Sequence, residues 1–376
     1  MKLIYGDRFK INVLALFFVF VILSAILLFI ILQRVKKENS IDLASLNQGF
    51  KIDIAEIEKT KGLEDIFEVR DVIRFEGQVI GSIEKFIILP SGDFLIKDGV
   101  SKDIYIFGQH GKFLRSIGAK GSGPGEFLNP VDVKFNPKDK LIYVLDIKLS
   151  RIIAFDTLGK YQFSFNIKRR GEHMILSPDG GRIYVYSTGY VSEDMVSCYD
   201  TSGKILFTFC KPSDFIKKIK IPITGVVGGI VLENGKIFLM HPYEHVIRIF
   251  TPDGRNIENI SLNSDLYKYP QISGNLLLDI KSFTPILSPV LNFDGVFFII
   301  LQVPDERGAK NYLEIVYLPE RRVLNSVYLS DMYPLYVDNY GYVYFCYQPK
   351  PVESNLLSNP VVYKCKFSPL KLKVKG

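Results

Sequence analysis

From about Glu64 to Pro369 the chain is a succession of short β-branched and aromatic runs bounded by Gly, Asp, Asn and Pro. Apolar runs punctuated in this way predict strands, and no long stretch carries the 3.6-residue period of an amphipathic helix. The region is expected to be all-β. Before it, Ile11 to Leu32 (INVLALFFVFVILSAILLFIIL) is a continuous apolar run interrupted only by Asn12 and Ser24. A helix of that length spans about 33 Å, enough for a hydrocarbon core of about 30 Å.

The strands repeat. A turn followed by a strand appears as SGDFLIKD (Ser91 to Asp98), KDKLIYVLD (Lys138 to Asp146), DGGRIYVYS (Asp179 to Ser187), ENGKIFLMH (Glu233 to His241), FDGVFFIIL (Phe293 to Leu301) and DNYGYVYFCY (Asp338 to Tyr347). A second half tracks each copy, with IYIFGQHGKFLRSIG from Ile104 and IIAFDTLGKYQFSF from Ile152 as its clearest examples. The turn glycines Gly111, Gly159, Gly203 and Gly254 are 48, 44 and 51 residues apart, the length of a four-stranded propeller blade with its loops. Six copies predict a six-bladed β-propeller, because a blade alone leaves both faces exposed whereas a ring buries them. The last copy runs short of a full outer strand near Gly376, and IFEVRDVIRFEG (Ile66 to Gly77) precedes the first copy. That early strand is expected to complete the sixth blade.

Boundaries follow from this pattern: a tail at 1–10, a transmembrane anchor at 11–33, a stalk at 34–63, the propeller at 64–370 and a basic tail at 371–376. A cleaved signal peptide would carry a shorter apolar region and a small-residue cleavage site, so the run reads as an uncleaved single-pass anchor. Basic residues flank it evenly, with Lys2, Arg8 and Lys10 on one side and Arg34, Lys36 and Lys37 on the other. The short amino-terminal tail nevertheless favours an extracytoplasmic propeller, periplasmic or extracellular.

Charge changes one inference. The formal net charge is +7, but residues 1–37 hold six basic residues against Asp7, leaving 41 basic and 39 acidic residues in the remainder. A nearly neutral folded part lacks the field that nucleic acid requires, and no nucleic-acid partner is expected. With 47% hydrophobic residues, 28 Phe and 21 Tyr, the chain is too apolar for disorder. Cys198, Cys210, Cys346 and Cys365 form no C-x-x-C pair. Cys346 and Cys365 fall on neighbouring strands of one blade and can bridge if the domain is exported; free buried thiols are the simpler reading for all four.

Between the first and second copies lies IGAKGSGPGEFLNP (Ile117 to Pro130), followed by IYVLD and RIIAFDTLG. This succession resembles the NHL repeat and the bacterial six-bladed β-propeller proteins of the NHL type. The full motif occurs once, and elsewhere only its strand and turn skeleton is kept. The resemblance implies a cell-envelope location and a binding or scaffolding role. On physical grounds the glycines permit positive φ where the chain turns towards the next blade, Pro124 and Pro130 stiffen the path, and Glu126 can accept backbone N–H bonds. No Gly-Lys-Ser/Thr or helix follows Gly121 to Gly125, which argues against a phosphate cradle.

Candidate chemistry is sparse. Asp146 and Arg151 flank a turn of one blade, where a mutual or backbone hydrogen bond competes with a ligand-binding role. His173 precedes an inner strand and is expected to face the axial channel as a ligand-binding candidate; His110 sits in an exposed turn. His241 and His245, in H-P-Y-E-H, have a spacing that binds zinc on a helix, but Pro242 and the flanking strands make a helix untenable. They are either loop ligands for zinc or calcium or a solvated, locally hydrogen-bonded loop. No catalytic residue and no cofactor is expected. The insertions at 211–228, 263–289 and 348–360 are rich in Pro, Ser, Asn and Lys, and loops on a rigid scaffold commonly carry recognition. The function expected is therefore a membrane-anchored module binding a protein or glycan partner on its loop face. The alternative is a metal-dependent lyase or hydrolase at the channel mouth.

Overall fold

The structure, a computed structural model, describes residues 50–52, 54–59, 61–187, 193–218, 230–231, 235–271, 283–306, 308–348 and 358–372. The anchor expected at 11–33 lies outside these residues, and no described helix is long and apolar enough to cross a membrane.

Six four-stranded antiparallel sheets follow one another along the chain. Blade 1 comprises Ile83–Ile88, Phe94–Asp98, Ile104–Phe107 and Phe113–Ile117. Blade 2 comprises Pro130–Asn136, Leu141–Asp146, Arg151–Phe155 and Tyr161–Asn166. Blade 3 runs through His173–Leu176, Arg182–Tyr186, Val196–Asp200 and Ile205–Phe209. Blade 4 has Ile230–Val231, Ile237–His241, Glu244–Phe250 and Asn256–Ser261, and blade 5 has Ile286–Phe293, Val296–Asp305, Gly308–Tyr317 and Arg322–Leu329. Blade 6 takes Met332–Val337, Tyr342–Tyr347 and Val361–Phe367 from the end of the chain and Phe67–Arg74 from its beginning. The first strand of every blade neighbours the first strands of the blades on either side, so these six strands form the inner wall of a closed ring.

Burial explains the sequence texture. In blades 1 and 2 the second and third strands are buried almost throughout, because neighbouring blades cover both of their faces. Such strands read as continuous apolar runs, which is why they carry the visible repeat. Fourth strands such as Phe113–Ile117 and Ile205–Phe209 alternate, with one face on the core and one in solvent. The core is a set of inter-blade wedges. Leu95, Ile104 and Ile106 meet Ile142, Val144 and Ile153, for example, between blades 1 and 2.

Because the strands alternate in direction, two kinds of end separate onto two faces. The turns joining first to second and third to fourth strands share one face and are short. The loops joining second to third strands, and the connections from blade to blade, share the other. The insertions at 211–228, 263–289 and 348–360 all leave from strand ends on this second, connection face. Two of them are more structural than expected. Ile286 to Pro289 belong to the first strand of blade 5. Asn359 accepts from Ile80 N–H at 2.8 Å and donates to Phe75 and Gln78 carbonyls at 2.9 and 2.8 Å, pinning the connection into blade 1.

The early strand closes the ring as expected. Phe67–Arg74 pairs antiparallel with Val361–Phe367, Phe67 opposite Phe367 and Arg74 opposite Val361. Phe67 enters the wedge between blades 5 and 6, with ring centroids 5.8, 4.9 and 5.6 Å from Phe298, Phe345 and Phe367. Ile73 and Phe75 enter the wedge between blades 6 and 1. Gly111, at φ +80°, lies so close to Arg74 O that a Cβ there would meet it at 1.9 Å, which fixes this turn of blade 1 against the closing strand. A further pairing, Phe50–Ile52 with Leu370–Leu372, joins the segment before the ring to the residues after it. The four cysteines are buried free thiols.

The closing strand is directly testable. Phe67→Ala is expected to cost about 3–5 kcal/mol, the range for emptying a buried aromatic site. Val69→Ala on the same strand, 53% exposed, should stay within about 0.5 kcal/mol. Equal effects of the two substitutions in urea unfolding would contradict closure by this strand.

Candidate functional site

The inner wall brings together charges from three blades. Glu84 and Lys85 stand on the first strand of blade 1, Asp132 and Lys134 on that of blade 2, and His173 begins that of blade 3. They line an axial cavity of about 380 Å³. The rest of its wall is apolar and aromatic, including Phe86, Ile88, Phe135, Met174, Leu335 and Tyr336.

Asp132 is the hub. Its side chain is 1% exposed. Oδ1 accepts from Val133 N–H at 2.9 Å and from Lys134 Nζ at 3.1 Å, and Oδ2 accepts from Met174 N–H at 2.9 Å. That last bond crosses from blade 2 to blade 3 and fixes the start of the next inner strand. Lys85 Nζ lies 3.7 Å from Asp132 Oδ1 and donates to His173 Nδ1 at 3.3 Å. The same Nδ1 lies 3.7 Å from Asp132 Oδ2, so it faces both charged groups. Beside this group, the fully buried Lys97 pairs with Glu84, which also lies 3.5 Å from Lys102.

The electrostatics follow from burial and neighbours. Burial pushes the Lys85 ammonium below its usual range, with Asp132 opposing. Burial, reinforced by Lys85, likewise lowers His173. Burial alone would raise the Asp132 carboxyl, but Lys134, Lys85 and His173 outweigh it and hold it well below 3.8. Asp132 therefore stays ionised and His173 neutral near pH 7. The arrangement can bind and orient an acceptor group. Among the described residues, no group of three or more His, Cys, Asp or Glu side chains is arranged to hold a metal ion.

The other candidates lie elsewhere. Asp146 is fully buried and its carboxylate accepts from the backbone N–H groups of Leu128, Asn129 and Leu149, tying the incoming connection to the turn of blade 2. Asp98 does the same in blade 1 through Gly81, Ser82 and Val100. Arg151 donates to the carbonyls of Ser122, Gly123 and Glu126 at 3.1, 2.9 and 2.6 Å, and Glu126 accepts from Gly123 N–H at 2.7 Å. Both residues hold the 117–130 insert, away from the cavity lining.

His241 and His245 are not in a solvated loop. A two-residue hairpin, Pro242 and Tyr243, joins their strands, and both imidazoles are buried. His241 Nδ1 accepts from Tyr243 N–H at 3.2 Å. His245 Nε2 meets Glu314 Oε2 of blade 5 at 2.5 Å, under the stacked ring of Tyr267 at 4.6 Å. Arg248 pairs with Glu244, which also receives Ser213 Oγ. Four polar atoms of this cluster, His241 Nε2, His245 Nδ1, Glu314 Oε1 and the Tyr267 hydroxyl, have no hydrogen-bond partner among the described residues. Burial, reinforced by Arg248, pushes His241 down to about 3.

Sequence reading finds His173 at the channel but misses Lys85, Asp132 and Lys134. Their signal is present, since V-D-V-K-F and I-E-K-F set charges inside apolar strands.

Comparison with known proteins agrees with this architecture. A family model described as Domain of unknown function (DUF4934) matches residues 49–286. A crystal structure of a Bacteroides fragilis protein provisionally described as exported superposes with a TM-score of 0.62 at 14% identity, covering 83% of this chain and 97% of that one. A member of the DUF4221 family from Bacteroides vulgatus gives a TM-score of 0.59 at 11% identity, covering 81% and 98%. The WD40 repeats of RRP9 give 0.52 at 11% identity, covering 80% and 99%. At these identities the likeness is one of fold. None of the curated proteins matches the chain.

The buried His241 makes a pH prediction. Between about 3, where its imidazole titrates in the folded protein, and 6.5, the unfolded chain takes up a proton that the folded protein refuses. Stability then falls on acidification by about 1.4 kcal/mol per pH unit from this group. His241→Asn keeps an acceptor near the Nδ1 position and removes the titration. Between roughly pH 5.5 and 4 the wild-type protein should lose stability more steeply than the variant by about that slope. Parallel pH profiles from urea unfolding would overturn the assignment.

Proposed function

This chain belongs to the DUF4934 family, and on that premise we propose that it is an extracytoplasmic, membrane-tethered binding module that holds a protein or glycan of the cell envelope at the mouth of its axial channel. The observation that carries the reading is the convergence of Lys85, Asp132, Lys134 and His173 from three inner strands on one cavity, within a scaffold that spaces them rigidly. Side chains on neighbouring inner strands keep their mutual geometry as long as the ring is closed, which is the preorganisation that recognition uses.

Several features support the remaining parts of the proposal. The apolar run of residues 11–32 is long enough for a tether, and the Bacteroides fragilis neighbour is provisionally described as exported. The insert at 117–130, held by Arg151 and Glu126, supports grouping the chain with the NHL-type propellers. The long connections leave from strand ends on a single face, which offers recognition loops around one mouth.

Site-specific photo-crosslinking in cells tests the proposal with the full-length chain. Val100 (70% exposed) and Tyr269 (47% exposed) lie on connection-face segments, whereas Leu158 (72%) and Tyr340 (76%) lie in turns of the opposite face. A crosslinker at position 100 or 269 is expected to capture a defined envelope partner that one at 158 or 340 does not. The reverse pattern, or equal capture from both faces, would overturn the choice of face.

A further inference from the structure

Resting on the channel-mouth reading above, we infer that the axial cavity is a small-molecule site for an organic monocarboxylate with an apolar body. Its volume of about 380 Å³ falls within the range of small-ligand sites, about 300–1,000 Å³. Its wall divides into a charged side from blades 1 to 3 and an apolar remainder that includes Phe86, Phe135, Leu335 and Tyr336.

Hydrogen-bond accounting on the charged side selects the ligand's head group. Each lysine ammonium carries three N–H donors and no acceptor. Among the described residues, Lys85 Nζ donates to His173 Nδ1 and lies beside Asp132, and Lys134 Nζ donates to Asp132. Donors are therefore left over. Asp132, in contrast, is occupied at both oxygens by two backbone N–H groups and Lys134. Charge runs the same way, with two ammonium groups against the single carboxylate of Asp132, while Glu84 is engaged by Lys97 and Lys102. Counting Lys97 and Lys102 with the Glu84 they engage, the charged side holds four ammonium groups against two carboxylates, and it has a surplus of donors. A metal ion would need the opposite. A carboxylate supplies one negative charge and about four lone-pair sites, and its charge-assisted bonds to ammonium groups are the stronger kind. A phosphate dianion leaves the aromatic wall without a partner.

Ligand-observed NMR and calorimetry on the full-length protein test this with hexanoate and phenylacetate as probes against hexanamide, phenylacetamide and inorganic phosphate. The carboxylates are expected to bind at least about tenfold tighter than their amides, the scale of one charge-assisted hydrogen bond. Lys134, with a side chain 31% exposed, is the variant of choice. Lys134→Met should weaken hexanoate binding to the folded protein by about tenfold, with a lowered melting temperature because the buried Asp132 loses one of its partners. Amides binding as well as carboxylates, or phosphate outcompeting both, would overturn the inference; the amide comparison needs only wild-type protein and stands even if the variant misfolds. Face-selective crosslinking without carboxylate binding would sink this inference and leave the binding-module reading intact.

Discussion

Every blade depends on a ladder of hydrogen bonds between residues nearly three hundred positions apart in sequence, from Phe67 opposite Phe367 to Arg74 opposite Val361. The pairing of Phe67–Arg74 with Val361–Phe367 is what makes six sheets a ring. Without it, blade 6 would end on an open third strand and the wedges on both of its sides would lose apolar members: Phe67 from one, Ile73 and Phe75 from the other. The same closure holds the six inner strands in contact round the axis. The spacing of Lys85, Asp132 and His173 is therefore a property of the whole ring. The Met174 N–H bond to Asp132 makes this concrete, since the carboxylate that organises the charged cluster also anchors the entry to the next blade.

What could be read from the sequence follows from what each strand packs against. Second and third strands lie between two blades, so apart from buried polar residues such as Lys97, Arg248 and Glu314 they are apolar on both faces, and they read as a repeat with its turn signature. The closing strand was visible for the same reason. Inner strands are shorter of signal, because one side faces a channel that tolerates charge. Ile83–Ile88 and Pro130–Asn136 therefore kept no common pattern, and the cluster they build appears only when the ring brings them together. His173 was legible because histidine is rare in this chain. His241 and His245 read as a loop pair because Pro242 and the flanking strands exclude a helix there, whereas the strands run up to a two-residue hairpin that buries both imidazoles.

The junction of blades 4 and 5 has a different character from the apolar wedges. Phe238 meets Phe297 there at 5.5 Å, but close by the protein buries His245 against Glu314 and Arg248 against Glu244. Buried ionic groups are weak contributors to net stability, and breaking one partner is costly because the other is left without compensation. Such a seam tolerates few alternative packings. The channel cluster, by contrast, leaves lysine donors in excess at an open cavity, and that difference separates a structural polar group from one available to a ligand.

The ring closure also bears on how the chain reaches its folded state. Phe67–Arg74 is made early in synthesis, and its partner is made only after five further blades. If the chain is delivered amino-terminal end first, this strand waits as an unpaired edge carrying Phe67 and Ile73 until Val361–Phe367 arrives. Contacts of such sequence separation form late and slowly, and an unpaired apolar edge invites pairing with other chains in the meantime. Val361–Phe367 thus decides the fate of a strand made five blades earlier, and an interruption of synthesis before blade 6 leaves the apolar edge of that strand unpaired.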